Sequence, residues 1–72
     1  MANITNNDRL TVVGLKNGSN NPADQKNAAT VIASIDKILA GDTSEIQNLR
    51  TIVAALPATA MLKSVCNRML AE

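Results

Sequence analysis

Cys66 is the one cysteine of the 72-residue chain and its strongest candidate nucleophile. A cysteine thiol usually needs a histidine or another cationic neighbour to become a reactive thiolate, and the chain contains no histidine. Cys66 also lies among apolar residues at helical spacing, where a free cysteine acts as a small hydrophobic side chain. The sequence therefore predicts that Cys66 is structural and that the chain has no catalytic residue.

The acidic residues are the other groups able to do chemistry, as general acids and bases or as cation ligands. Asp24 follows a predicted helix start, and Asp42 with Glu45 has the spacing of a capping box, so these carboxylates have structural explanations. The spacing of the acidic residues matches no calcium or magnesium loop, and the chain lacks the cysteine and histidine pattern of a zinc site. The sequence predicts no metal and no cofactor, and hence a protein that is not an enzyme.

The cationic residues show no pattern typical of nucleic-acid binding. Seven lysines and arginines against six acidic residues leave a net charge of +1, and the cations occur singly along the chain. Base stacking is excluded as well, because the chain has no aromatic side chain. A loose helix-turn-helix resemblance is kept as a third hypothesis, in which polar residues of the second helix would contact DNA: Gln47, Asn48, Arg50 and Thr51.

Local signals place the helices after residue 21. Asn21 as N-cap and Pro22 at the first helical position begin a helix over residues 22–40, which Gly41 ends. A second helix covers residues 43–56 and forms an antiparallel hairpin with the first. Pro57 then leaves two alternatives, a third helix over residues 58–71 or a kinked continuation of the second. The predicted fold class is all-α.

Residues 1–21 are predicted to form an extended N-terminal arm beside a helical domain of residues 22–72. The β-branched run Thr11-Val12-Val13 favours extended backbone, and Gly14 disfavours a helix. A strand here would have to pair with another chain, because no other segment is predicted as a strand. The alternative is an irregular or briefly helical segment folded over the helices, since short apolar runs are ambiguous by periodicity.

Two apolar surfaces are predicted to contact other chains. The third helix carries apolar residues over about half of its circumference, which is more than two short neighbouring helices cover. The apolar segment of the arm is the second surface. Together they give the following candidate interface: Leu10, Val12, Val13, Leu15, Met61, Cys66, Met69 and Leu70.

The small size of the chain indicates the same kind of function. A chain of 7.6 kDa without aromatic residues has a small core, and with no disulfide or metal its extra stability has to come from oligomerisation or a protein partner. The leading hypothesis is a non-enzymatic structural or assembly protein, either a homo-oligomer or a subunit of a larger particle such as a virion. The alternative is a small regulator or inhibitor that binds one host protein.

The sequence also bears on location. No apolar run approaches the roughly 20 residues of a membrane span, and the first residues lack the pattern of a signal peptide. We therefore expect a protein without a membrane partner, located in the cytoplasm or in a particle assembled there.

Overall fold

The computed structural model describes residues 4–57 and 60–71 as four helices joined by short turns. They are α1 (Asn6–Gly18), α2 (Pro22–Leu39), α3 (Glu45–Ala54) and α4 (Met61–Ala71). Helix α2 packs against both α1 and α3, and α4 contacts α3 and α1. The described residues contain no strand, so the predicted all-α class is confirmed.

The N-terminal segment is a helix packed on α2 and α4, so the extended arm is wrong for residues 6–18 and the alternative of a helical segment folded over the other helices is what the structure shows. Residues 1–3 lie outside the described part. The start of α1 is a capping box. The Thr5 backbone N–H donates to the Asp8 carboxylate at 2.9 Å, and the Asp8 N–H donates to the Thr5 hydroxyl at 3.3 Å. Val12 is fully buried against the rest of the chain. Capping and the burial of this valine outweigh the extended preference of β-branched residues, which is itself dependent on context.

Helix α2 has the ends that the sequence predicts, to within one residue. The Asn21 side chain accepts a hydrogen bond from the N–H of Ala23 at 2.9 Å, and Pro22 occupies the first turn. At the other end, Gly41 has a φ of +109°, which a residue with a side chain rarely adopts. The N–H of Asp42 there donates to the carbonyl of Lys37 at 3.0 Å, closing a Schellman turn.

The start of α3 differs from the predicted capping box. Helix α3 begins at Glu45 with Ser44 as N-cap, and no side chain caps it. The Glu45 carboxylate instead accepts hydrogen bonds from the hydroxyl of Ser34 at 3.0 Å and from the side-chain amide of Asn48 at 2.8 Å. The spacing of Asp42 and Glu45 is compatible with a capping box. The Glu45 carboxylate instead binds the Ser34 hydroxyl of α2, which only tertiary packing brings near it.

Helices α3 and α4 are separate, which settles the alternatives that Pro57 left open. Residues 55–57 form a turn after α3, and α4 begins at Met61 rather than at 58; residues 58 and 59 lie outside the described part. A proline has no backbone N–H and crowds the preceding turn, so a break here is expected. The ammonium group of Lys63 donates to the carbonyl of Leu56 at 3.1 Å, and the guanidinium of Arg50 donates to the carbonyl of Leu70 at 3.4 Å. Each helix thus supplies a cation near the carboxyl end of the other.

The core lies where the four helices meet, and each helix contributes to it. Its buried residues are Val12, Ala28, Val31, Ile35, Leu49, Val53, Leu56, Leu62, Cys66, Met69 and Leu70. Aliphatic and sulfur-containing side chains make up the whole of this cluster, because the chain has no aromatic residue. None of the described helices has both the length and the apolar character to cross a membrane.

Candidate interaction surface

Four of the eight predicted interface residues are inside the core. Val12, Cys66, Met69 and Leu70 are each no more than 6% exposed, so they are not available to another chain in this fold. The prediction assumed that α4 lacked enough neighbours to cover its wide apolar stripe. Helix α1, which was expected to be an arm, is the missing neighbour, and it packs against both α2 and α4.

The other four predicted residues reach the surface to different degrees. Leu10 on α1 is 63% exposed and Met61 at the start of α4 is 68% exposed, whereas Val13 and Leu15 are half-buried. Leu39, at the end of α2, is the third large apolar side chain in the described residues with substantial exposure, at 38%. The surface that remains as a candidate is therefore the part of α1 around Leu10 and the start of α4 around Met61.

Helix α1 exposes a face that carries no charge. At about 100° per residue this face covers an arc of about 140°. We call it the outward face of α1; its exposed residues are Asn6, Asn7, Leu10, Thr11, Gly14, Asn17 and Gly18. The three charged residues of the helix, Asp8, Arg9 and Lys16, are all half-buried on the opposite side. This arrangement is the reverse of an ordinary surface helix, which turns its charged side chains toward solvent.

The charge of Arg9 is directed inward by an ion pair with α2. Its Nε lies 2.6 Å from Oδ1 of Asp36, and the two side chains are 37% and 51% exposed. This pair links α1 to α2 and places the guanidinium on the α2 side of the helix, away from the outward face. The hydroxyl of Thr11, which lies on that face, donates to the carbonyl of Asn7 at 3.0 Å, so its hydrogen-bonding capacity is partly met within the helix.

Gly14 lies at the centre of the outward face. A β-carbon built on it meets no other atom within 4 Å, and its backbone is helical. Glycine in the interior of a helix costs about 1 kcal/mol relative to alanine. Neither close packing within the chain nor a left-handed backbone therefore requires a glycine at this position.

A groove of about 270 Å³ runs beside the outward face, between α1, α2 and the start of α4. Its lining is mainly apolar and small: Gly14, Leu15, Gly18, Ser19, Asp24, Ala28, Ala60, Met61 and Leu62. Gly14 and Gly18 belong to both the face and the groove, so the two features form one continuous surface. Asp24 is the only charged residue among the described groove residues.

Cys66, the candidate nucleophile of the sequence, lies in the core. Cys66 is fully buried, as the sequence predicts, and burial raises the pKa of its thiol to about 11. The thiol is therefore protonated and unreactive at neutral pH. Across residues 4–57 and 60–71, no three histidine, cysteine or acidic residues lie together as metal ligands would.

The residues considered for DNA contact make hydrogen bonds within the chain. Arg50 donates to the carbonyl of Leu70, and Asn48 donates to the carboxylate of Glu45. The hydroxyl of Thr51 donates to the carbonyl of Gln47 at 3.2 Å. Each of these contacts uses part of the hydrogen-bonding capacity of its side chain.

Comparison with known proteins identifies no relative. No family model matches the chain, and no curated protein or solved structure matches it significantly.

Proposed function

We propose that this chain is a small non-enzymatic structural or assembly protein that acts through protein–protein contacts. The observation that carries the proposal is the uncharged outward face of α1, with Leu10 exposed on it and the apolar groove beside it. A solvent-facing helix surface gains nothing from an exposed leucine or an interior glycine. Both are favourable where another protein covers the surface.

The size of the chain supports the same proposal. A domain near 70 residues buries a modest fraction of its surface, and the core here contains no aromatic side chain. A protein partner on the outward face would bury Leu10 and Met61, the two most exposed large apolar side chains of the described residues. Binding would then stabilise the folded state by mass action.

A contact face on a compact helical body is compatible with a subunit of a larger assembly, of which a virion is one example. A regulator of one target protein is the competing proposal, and it uses the same surface. The two differ in stoichiometry: an assembly subunit occurs in many copies per particle, whereas a regulator forms a complex of defined composition with one target.

The proposal is tested by measuring the size of the protein where it is made. An extract of the producing cells is separated by size, and the chain is detected by antibody and compared with the purified protein. We expect a large complex that Leu10→Lys disperses and that Leu39→Lys, a matched change on α2, leaves intact. Migration at 7.6 kDa in the extract, with or without the substitutions, would contradict a function based on protein contacts.

A further inference from the structure

We infer that the outward face of α1 binds a second copy of this chain, with the two α1 helices antiparallel and crossing at Gly14. The inference rests on the proposed function and makes it specific, because it names the partner on this face. A two-fold contact closes on itself, so a larger assembly would be built from dimers through other surfaces. The inference follows from the charge and the shape of the surface.

The charge of the outward face suits self-association. A two-fold axis brings a surface against its own copy, so any charge near the axis meets a like charge. All seven exposed residues of the face are uncharged, although α1 contains three charged residues. A different partner protein would place no such restriction on the face, since a charged surface is readily matched by the opposite charge.

The antiparallel direction also suits the helix dipoles. Antiparallel helix dipoles attract, and Asp24 lies at the groove near Gly18. In a pair that crosses at Gly14, the N-terminal turn of the second α1 lies beside Gly18 of the first. Asp24 then lies near the N-terminal end of that helix, whose first turn already carries the Asp8 carboxylate on its opposite side, so Asp24 adds little to the attraction between the helix dipoles.

The shape of the face is self-complementary. Leu10, Gly14 and Gly18 follow one another at intervals of four residues, so they lie in a row along the helix. Antiparallel crossing at Gly14 places Leu10 of each copy opposite Gly18 of the other. The exposed leucine is then next to the partner copy's groove, which has a volume of about 270 Å³. Gly14 meets its own copy at the crossing, where the missing β-carbon lets the two backbones approach closely.

The area that a stable dimer requires sets how far the contact must extend beyond α1. A standard interface buries about 800 Å² per partner, which is less than a fifth of the 4455 Å² accessible surface of the described chain. The 13 residues of α1 extend about 20 Å, and the longest dimension of the molecule is 32 Å. The groove and Met61 add contact area from α2 and α4 to that of the helix itself.

The first test measures molar mass by sedimentation equilibrium over a concentration series, with refractive-index detection because the chain lacks tyrosine and tryptophan. We expect the wild-type chain to reach twice 7.6 kDa. Gly14→Leu and Leu10→Lys should each weaken the dimer at least tenfold. Ala29→Leu and Leu39→Lys, the matched changes at exposed positions of α2, should leave it unchanged. A wild-type chain that stays monomeric, or equal effects of test and control variants, would overturn the inference.

Gly14→Ala distinguishes an effect on monomer stability from an effect on dimer affinity. It keeps the inference testable if the larger substitutions unfold the chain. The added methyl group meets open space within the chain and improves helix propensity, so the melting temperature of the dilute monomer should rise. The same methyl group lies at the crossing of the two helices, so the dimer dissociation constant should rise as well. A substitution that stabilises the monomer and leaves the dimer equally strong would contradict the crossing at Gly14.

The second test distinguishes failure of this inference from failure of the proposed function. A photo-crosslinking side chain, p-benzoylphenylalanine, replaces Asn17 at the edge of the outward face, and Gln47 on α3 as a control, in the producing cells. A crosslink from position 17 to a second copy supports both proposals. A crosslink only to a different protein overturns the inference that the partner is a second copy, but it is consistent with the proposed function. No crosslink from position 17 overturns both.

Discussion

The buried hydroxyl of Ser34, on α2, donates a 3.0 Å hydrogen bond to Oε1 of Glu45 at the start of α3. Ser34 is the only polar residue in the buried part of the described chain, at 3% exposure. A buried hydroxyl without a partner costs free energy, and a carboxylate is a strong acceptor. This contact therefore sets how α3 follows α2 after the turn at Gly41.

Removing the acceptor should cost more than removing the donor. Glu45→Ala leaves the Ser34 hydroxyl buried without its partner and should lower the free energy of unfolding by about 2 kcal/mol. Ser34→Ala leaves a half-buried carboxylate that still accepts from Asn48, and should cost about 1 kcal/mol. Urea denaturation followed by circular dichroism measures both. In the double variant the losses should be less than additive; strict additivity would show that the two side chains are not coupled.

The Arg9–Asp36 pair should contribute little and should depend on salt. Both side chains are more than a third exposed, and ion pairs of this kind are typically worth about 0.5 kcal/mol. We expect Asp36→Asn to lower the free energy of unfolding by that amount at low salt and by nearly nothing at high salt. A double-mutant cycle with Arg9→Gln isolates the pair from other effects of each substitution. A coupling that persists unchanged at high salt would contradict this assignment.

Cys66 should make stability fall at alkaline pH. Burial raises the pKa of its thiol from 9.0 to about 11, so the folded state holds the proton more tightly than the unfolded state. The stabilisation is complete below pH 9 and is lost as the pH rises from 9 toward 11, where the unfolded thiol ionises first. Denaturation midpoints across this range should therefore fall more steeply for wild type than for Cys66→Ala.

The comparison with Cys66→Ala is needed to separate the effect of the thiol from other effects of alkaline pH on the chain. Parallel pH profiles for the two proteins would show that the thiol is not responsible. The same burial predicts that a thiol reagent reacts slowly with the native chain and rapidly in denaturant.

Alanine should have opposite effects at two glycines. Gly41 has a φ of +109°, so Gly41→Ala strains the turn after α2 and should cost about 1 kcal/mol. Gly14 is helical with open space around it, so Gly14→Ala should stabilise the monomer by about 1 kcal/mol. Measuring both in the Leu10→Lys background keeps the expected association out of the comparison. If both substitutions changed the free energy of unfolding in the same direction, backbone conformation would not determine the effect of alanine at these two glycines.

Several features were predictable from the sequence because they depend on neighbouring residues. Asn21 with Pro22 starts α2 and Gly41 ends it, since caps and turns are set by hydrogen bonds a few residues apart. The all-α class and the burial of Cys66 follow from helical periodicity, which places apolar side chains on one side of each helix.

The identity of α1 was partly predictable. Thr5 and Asp8 have the spacing of a capping box, and this signal could have located the start of the helix. The sequence prediction did not use this signal and followed the β-branched run and Gly14, whose preferences favour extended backbone or no helix. Once the segment is known to be a helix, its uncharged outward face follows directly from the sequence.

By itself the sequence determined the helical class and the ends of α2, because these depend on residue type and short-range spacing. Tertiary structure alone decided that α1 covers the apolar stripe of α4, that Glu45 binds Ser34, and that Leu10 and Met61 stay exposed. The physical reason is that a side chain is buried by contact between helices that are distant from each other in sequence. A local pattern shows that a helix has an apolar side, and packing decides which part of that side another helix covers.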